Sequence, residues 1–258
     1  MNSGFASKYG PWAVVAGASE GIGAAFATGL AQRGVNLILV ARRSEPLTEL
    51  AGRLPVESVP VAADLSTKDG LDAVFSAAEG KAVGSLVCNA AYAPVSRFLE
   101  LTPSRLETLL DLNCRAPLLL ARHFLPDMVA RGSGGVIVMS SLAGNQGSPG
   151  LAGYAASKAF GAVLAESLWA ELRSTGVDVL ACVAGAVSTP GYHESMKRPA
   201  PGTVTAQTVA ETALKSLGRG PRAVPGAMMR VSSVLMSRLL PRRTAIQVIG
   251  KASSGLAQ

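Results

Sequence analysis

The sequence predicts a single α/β domain, residues 1–258, built on a doubly wound parallel β-sheet with helices on both faces. Three observations predict it. Short runs of β-forming residues alternate with helical patterns along nearly the whole chain, as repeated βαβ units do. Several runs are apolar throughout, such as Leu37 to Ala41, so both sheet faces are expected to be covered. Gly17, Arg42, Asp64, Asn89, Ser141 and Gly185 each fall just past a predicted strand, at the edge where open parallel sheets form their sites.

Trp12 to Ala16 is the first strand. Gly17-Ala18-Ser19-Glu20-Gly21-Ile22-Gly23 follows it directly, then a helical pattern from Ile22 to Gln32 and a second strand from Val35 to Ala41. Glycine lets a backbone turn sharply and approach a pyrophosphate, and the helix N-terminus behind it offers unpaired N–H groups and a positive dipole end. Strand, glycine turn, helix and strand is the context of a phosphate-binding loop, although a structural turn would use the same glycines. Arg42-Arg43 ends the second strand, where an NAD site would place a carboxylate for the ribose hydroxyls. Two guanidinium groups favour a 2′-phosphate, hence NADP(H); the plain alternative is a solvated helix flank.

The alternation continues. Ser44 to Gly52 reads as a helix, Val56 to Ala62 as a strand, Asp64-Leu65-Ser66 as a helix approach and Leu71 to Ala78 as its helix. Leu86 to Cys88 is a strand ending at Asn89-Ala90-Ala91. Thr102 and Pro103 make a helix start. That helix runs through Leu106, Leu109, Leu110 and Asn113, and Pro117 kinks the run or divides it from Leu118 to Met128. Val136 to Met139 is the fifth strand, a helix opens at Tyr154, and Val177 to Val183 is the sixth strand.

Residues 188–225 read as a substrate-loop region. Its loop passes through Tyr192, His193, Lys197, Pro199 and Pro201, before a helix from Ala206 to Leu217 capped by Thr205 and a short strand at Ala223 to Pro225. Residues 227–258 form a basic amphipathic extension, with Met228, Val231, Leu235 and Leu239 at helical spacing before Pro241. A core cover or subunit contact is expected there; a substrate lid or a membrane-surface helix are the alternatives.

Composition narrows the function classes. No apolar stretch approaches the roughly 18 residues that cross a bilayer, and no secretory signal is visible before Gly10. Cysteines at 88, 114 and 182 lack metal-ligand spacing, so no metal is expected and a cytoplasmic setting is. Glu211 is the last acidic residue, and eight basic residues follow it. Such a tail suits an anionic surface, with peripheral membrane contact as one possibility, or plain solvation. No nucleic-acid module accompanies it, so nucleic acid is not an expected partner.

Tyr154 and Lys158 are four apart on the helix that follows the fifth strand, so they share one face. An ammonium beside a phenol lowers the phenol pKa and makes an acid–base pair, although this spacing is also common on solvated helices. Together with Gly17 to Gly23, Asn89-Ala90-Ala91, Asn113, and Ser141 thirteen residues before Tyr154, the pair resembles the short-chain dehydrogenase/reductase family. The stretches Tyr9 to Val15 and Tyr154 to Phe160 are most similar to the 3-ketoacyl-CoA reductase and 17β-hydroxysteroid dehydrogenase branch.

The resemblance implies a Rossmann fold and an NADPH-dependent reduction of a hydrophobic, lipid-like ketone to an alcohol, or the reverse oxidation. It implies Tyr154 as proton donor, Lys158 depressing the tyrosine pKa and holding the nicotinamide ribose, Ser141 polarising the carbonyl and Asn113 positioning Lys158 through a water-linked proton path. Gly17, Ser19, Glu20, Gly21, Ile22 and Gly23 would hold the phosphates, and Arg42 and Arg43 the 2′-phosphate. Asp64 and Leu65 would contact adenine, and Asn89, Ala90 and Ala91 the adenosine side. Tyr154, Lys158, Gly185, Val187 and Thr189 would flank the nicotinamide. A homodimer or homotetramer is implied, with Ala155, Ala159 and Ala162 suited to a close helix contact. Ala16, Cys88, Ala91 and Ala184 depart from the family's threonine, asparagine, glycine and proline. The alternative reading is a non-catalytic NADP(H)-binding regulatory or interaction protein on the same fold.

Overall fold

The computed structural model describes residues 3–195, 200 and 202–253. Lys197, Pro199 and Pro201 of the predicted loop lie outside the described residues. Helix α1 (Ser3–Tyr9) precedes the first βαβ unit, which comprises β1 (Trp12–Ala16), α2 (Gly21–Ala31) and β2 (Asn36–Ala41). There follow α3 (Ser44–Arg53), β3 (Ser58–Ala62), α4 (Lys68–Ala78), β4 (Val83–Cys88), α5 (Pro103–Leu110), α6 (Ala116–Arg131), β5 (Gly134–Ser141), α7 (Ala152–Glu171) and β6 (Val177–Ala184). The last part holds β7 (Val187–Ser188), α8 (Pro190–Ser195), β8 (Val204–Thr205), α9 (Ala206–Ser216), β9 (Arg222–Ala223), α10 (Ala227–Val234) and α11 (Arg242–Ser253).

The seven-stranded sheet has the order β3-β2-β1-β4-β5-β6-β9, and each adjacent pair is parallel. The chain reverses its direction of travel across the sheet between β1 and β4, which opens a crevice at their carboxyl ends. Period-two alternation divides the core. Ala13 and Val15 of β1 pack with Phe26 and Leu30 of α2 and Leu214 of α9, while Val14 and Ala16 face Leu71 and Val74 of α4 and Leu120 and Phe124 of α6. Both faces are therefore covered, as the fully apolar strands require.

The helical run at Pro117 is divided as the proline suggests: a π-turn at Asp111–Arg115 joins α5 to α6, and Pro117 sits in the first turn of α6. Differences from expectation lie at element ends and in the last third. The predicted loop after Ser188 contains α8, and β7 pairs with β8 as a small second sheet. The C-terminal extension is two helices: α10 passes into a π-turn at Leu235–Leu239, and α11 begins after Pro241. Ala155 and Ala162 are buried within the subunit, so the outward face of α7 carries Phe160 and Val163.

Candidate active site

A cavity of about 760 Å³ opens beyond the carboxyl ends of β1, β2, β3 and β4. Gly17, Ser19, Glu20, Gly21, Ile22, Arg42, Arg43, Asp64, Leu65, Asn89, Ala90, Ala91 and Thr189 all line it, as the sequence predicts. Ala41, Ala63, Leu112 and Gly191 line it too and were not anticipated. Ala41 and Ala63 immediately precede Arg42 and Asp64, so the strand-end rule could have found them.

Its floor is shaped by glycines. Gly17 adopts φ +81, and a Cβ there would lie 2.8 Å from the Ala90 backbone. A Cβ on Gly23 would fall 1.8 Å from the Gly17 carbonyl oxygen, so only glycine lets α2 start this close to the turn. Gly23 thus supports the loop from behind and does not line the cavity. The N-cap Glu20 makes no side-chain cap. The first-turn N–H groups of α2 therefore face the cavity as an anion site.

Charge is gathered at the end of β2. Arg43 Nη2 is 2.7 Å from Glu20 Oε2 in an exposed ion pair. Arg42 lines the cavity near Asp64. Partial burial alone would raise the Asp64 carboxyl, but hydrogen bonds from the Ser66 hydroxyl and N–H, with the Arg42 charge, hold it below its ordinary value. A glycine cradle that a Cβ would fill, a helix N-terminus and a guanidinium wall fit a dinucleotide carrying a 2′-phosphate.

The departures at Ala16 and Cys88 prove to be direct neighbours, paired across β1 and β4. Other bonds tie these strand ends. Asn89 and Ala90 N–H donate to the Ala16 carbonyl at 3.2 and 2.8 Å, and Asn89 Nδ2 donates to the Gly17 carbonyl at 3.0 Å.

Beside the cavity, Ser141, Tyr154, Lys158 and Asn113 are gathered around β5, α7 and the π-turn. Ser141 ends β5, and its Oγ accepts from Ala143 N–H at 3.2 Å in the turn that leads toward α7. The Ser141 hydroxyl acts on the Tyr154 phenol in the sense that lowers its pKa. Lys158 is buried, with Nζ 5.6 Å from the Tyr154 ring centroid and donating to the Met139 carbonyl at 2.9 Å. Burial lowers the Lys158 ammonium to about 8. Burial also raises the Tyr154 phenol, and the Ser141 hydroxyl only opposes that shift. The expectation that Lys158 depresses this tyrosine is thus corrected. Its ammonium is turned onto a carbonyl, and desolvation of the phenol dominates.

Asn113 is buried and fully hydrogen-bonded within the protein. Its Oδ1 accepts from Tyr92 N–H at 2.8 Å, and its Nδ2 donates to the Tyr92 carbonyl at 2.9 Å and to Ser157 Oγ at 3.0 Å. It therefore fastens the segment after β4 to α7 and touches Lys158's neighbour, not Lys158. Tyr92 and Ser157 were missed, because partners this far apart in sequence leave no local signal. Leu112, one residue before Asn113, joins this cluster to the cavity wall.

Three predicted nicotinamide contacts do not line the cavity as a group. Thr189 does, but Val187 is buried in the pairing with Val204. Gly185 lies under α10, where a Cβ would be 2.3 Å from Met229 Sδ and 3.1 Å from Leu142 Cδ1. Tyr154 and Lys158 also stand outside the cavity lining, beside it.

Residues 11–199 match the sequence family described as short chain dehydrogenase. The 7beta-hydroxysteroid dehydrogenase of Collinsella aerofaciens is 33% identical over 211 residues, 80% of this chain and 79% of that protein. The very-long-chain 3-oxoacyl-CoA reductase of Anas platyrhynchos is 30% identical over 256 residues, covering 95% and 80%. Among solved structures, a 7beta-hydroxysteroid dehydrogenase superposes with a TM-score of 0.90 at 28% identity, over 97% of this chain and 100% of the other. A short-chain dehydrogenase from Sphingobium yanoikuyae in complex with NADPH gives 0.77 at 31% identity, over 83% and 87%.

Proposed function

The chain belongs to the short-chain dehydrogenase/reductase family, and from that premise we propose how this member works. It is an NAD(P)H-dependent oxidoreductase acting on carbonyl and alcohol groups. The favoured reading is an NADPH-dependent reductase of a hydrophobic ketone, with alcohol oxidation as the reverse. Preference for the 2′-phosphate is supported by Arg42 and Arg43 at the end of β2, and by a relative in complex with NADPH. Relatives named for hydroxysteroids and very-long-chain 3-oxoacyl-CoA support the hydrophobic substrate class. The apolar contacts of Leu142 and Met229 at Gly185 agree with it.

The observation that carries the mechanism is Lys158, buried with its Nζ 5.6 Å from the Tyr154 ring centroid, on the helix that follows Ser141. A bound reduced nicotinamide supplies the hydride for the carbonyl carbon. Tyr154 then gives its hydroxyl proton to the carbonyl oxygen, and a phenol held neutral by burial is in the protonation state a donor needs. The Ser141 hydroxyl hydrogen-bonds the same oxygen and stabilises the charge developing there more than it stabilises the ketone. Lys158 stands beside the ring, held by its bond to the Met139 carbonyl, and Asn113 is a positioning residue through Tyr92 and Ser157.

NADPH oxidation against steroid ketones, 3-oxoacyl thioesters and small aromatic ketones tests the reading, with Tyr154→Phe as the comparison. Turnover by the wild type and its loss in the variant are expected. No turnover of any ketone, with NADPH fluorescence still reporting binding, would leave the regulatory alternative, and a variant as active as the wild type would remove Tyr154 from the chemistry. Exposed Leu118 on α6 and Phe160 and Val163 on α7 support a homodimer or homotetramer through these helices. Light scattering of Val163→Asp, expected to be smaller than wild type, tests that.

A further inference from the structure

Helix α10 is held along one face. Met229 fills the space over Gly185, and Ser233 Oγ accepts from Asn145 Nδ2 at 3.2 Å, so this face is held against the segments that follow β5 and β6. Arg242 Nη1 adds a bond to the Asn145 carbonyl at 2.7 Å from the start of α11. The opposite face is apolar and points outward. Met228, Val231 and Leu239 are 56%, 69% and 70% exposed, with Val234 and Leu235 also exposed between them. A stripe of this size normally has a partner.

Charge identifies the kind of partner. After Glu211 the chain carries eight basic residues and no acidic one, and Arg230 and Arg243 stand exposed on α10 and α11. A second copy meeting this face with its own would set cations against cations with no carboxylate from the same segment to pair them. An occupant that is apolar within and anionic at its surface answers both features. Among the described residues no helix is long and apolar enough to cross a membrane, so the contact lies along the surface.

We propose that α10 and the π-turn after it dock the protein on an anionic lipid bilayer, with Val231, Leu235 and Leu239 entering the headgroup–acyl boundary and Arg230 and Arg243 meeting the headgroups. The buried side of the same helix covers the segment leading from Ser141, so docking places the catalytic end of the sheet toward the lipid. The contact stands independently of the ketone chemistry, and its test is separate.

The full chain is sedimented with vesicles of phosphatidylcholine alone and of phosphatidylcholine mixed with phosphatidylglycerol. Binding is expected to the anionic vesicles only, with release at high salt. Val231→Ser/Leu235→Ser/Leu239→Ser and Arg230→Gln/Arg243→Gln are each expected to weaken partitioning about tenfold or more, at roughly the strength known per charge or per buried apolar chain. NADPH affinity, read by fluorescence on the same samples, is expected to be unchanged and shows that the variants are folded. Equal binding to both vesicle types, no binding, or unaltered binding by both variants overturns the proposal. So does a change of oligomeric state in the variants by light scattering, which makes the face a subunit contact.

Discussion

The cavity beyond β1 to β4 and the cluster around Tyr154 share one edge of one sheet, yet they are built by opposite means. The cavity is made of backbone and solvated charge: a glycine turn, a helix N-terminus, and arginines whose ion pair is open to water. The cluster is made of desolvated side chains. Asn113, Ser157 and Lys158 are buried and hydrogen-bonded, and burial moves the Lys158 and Tyr154 pKa values in opposite senses. Binding a large polyanion needs donors and little rigidity beyond the loop, whereas moving one proton needs groups whose charge states are fixed by their surroundings.

The sharpest way to break this contrast is Tyr154→Phe. Its kcat should fall about 10²–10⁴-fold while NADPH binding, followed by fluorescence, changes little. A parallel loss of binding would merge the two regions into one. Next in size is Arg42→Ala. Loss of a charge-assisted contact should weaken NADPH about 10- to 100-fold and leave NADH nearly unaffected; equal losses for both nucleotides would remove the guanidinium wall from specificity.

The strand-end pair Ala16 and Cys88 gives a stability test at the border between the regions. Cys88→Asn alone buries an amide and should cost about 1–3 kcal/mol in urea unfolding, and adding Ala16→Thr should recover most of it. If the double variant is no better than the single, the two positions are not coupled.

Lys158 gives the cluster a pH signature. Burial lowers its pKa in the folded protein to about 8 from an ordinary 10.5. Between those values the unfolded chain binds more protons, so stability attributable to this group rises with pH, by at most about 1.4 kcal/mol per unit. Lys158→Met should lack that rise between about pH 8 and 10.5 when its unfolding is compared with wild type. Parallel curves would mean that Lys158 keeps an ordinary pKa.

The smallest expected effect lies in the cavity. Glu20→Gln frees Arg43 from an exposed pair and should tighten NADPH by less than about fivefold, because such pairs contribute about 0.2–1 kcal/mol. A weaker NADPH complex would instead give Glu20 a direct binding role.

Much of this architecture was legible without coordinates. Patterns of two and 3.6 residues placed β1 to β6 and the main helices, and thirteen of the predicted cofactor contacts line one cavity. These features are local, since a glycine at positive φ or a residue just past a strand is marked by its immediate neighbours. Gly23, Gly185 and Val187 carry close packing against Gly17, Met229 and Val204 that no local pattern announces.

The sequence by itself determined the parallel sheet, the glycine loop, the basic end of β2 and the spacing that puts Tyr154 and Lys158 on one helical face. Only the tertiary structure decided how those parts connect. Asn113 is tied to Tyr92 and Ser157, Lys158 is turned onto the Met139 carbonyl, and Met229 of α10 is seated over Gly185. It also set the sign of the tyrosine shift. Helix spacing brings a cation near the phenol, but a pKa follows from the whole surroundings, and here burial is the largest cause.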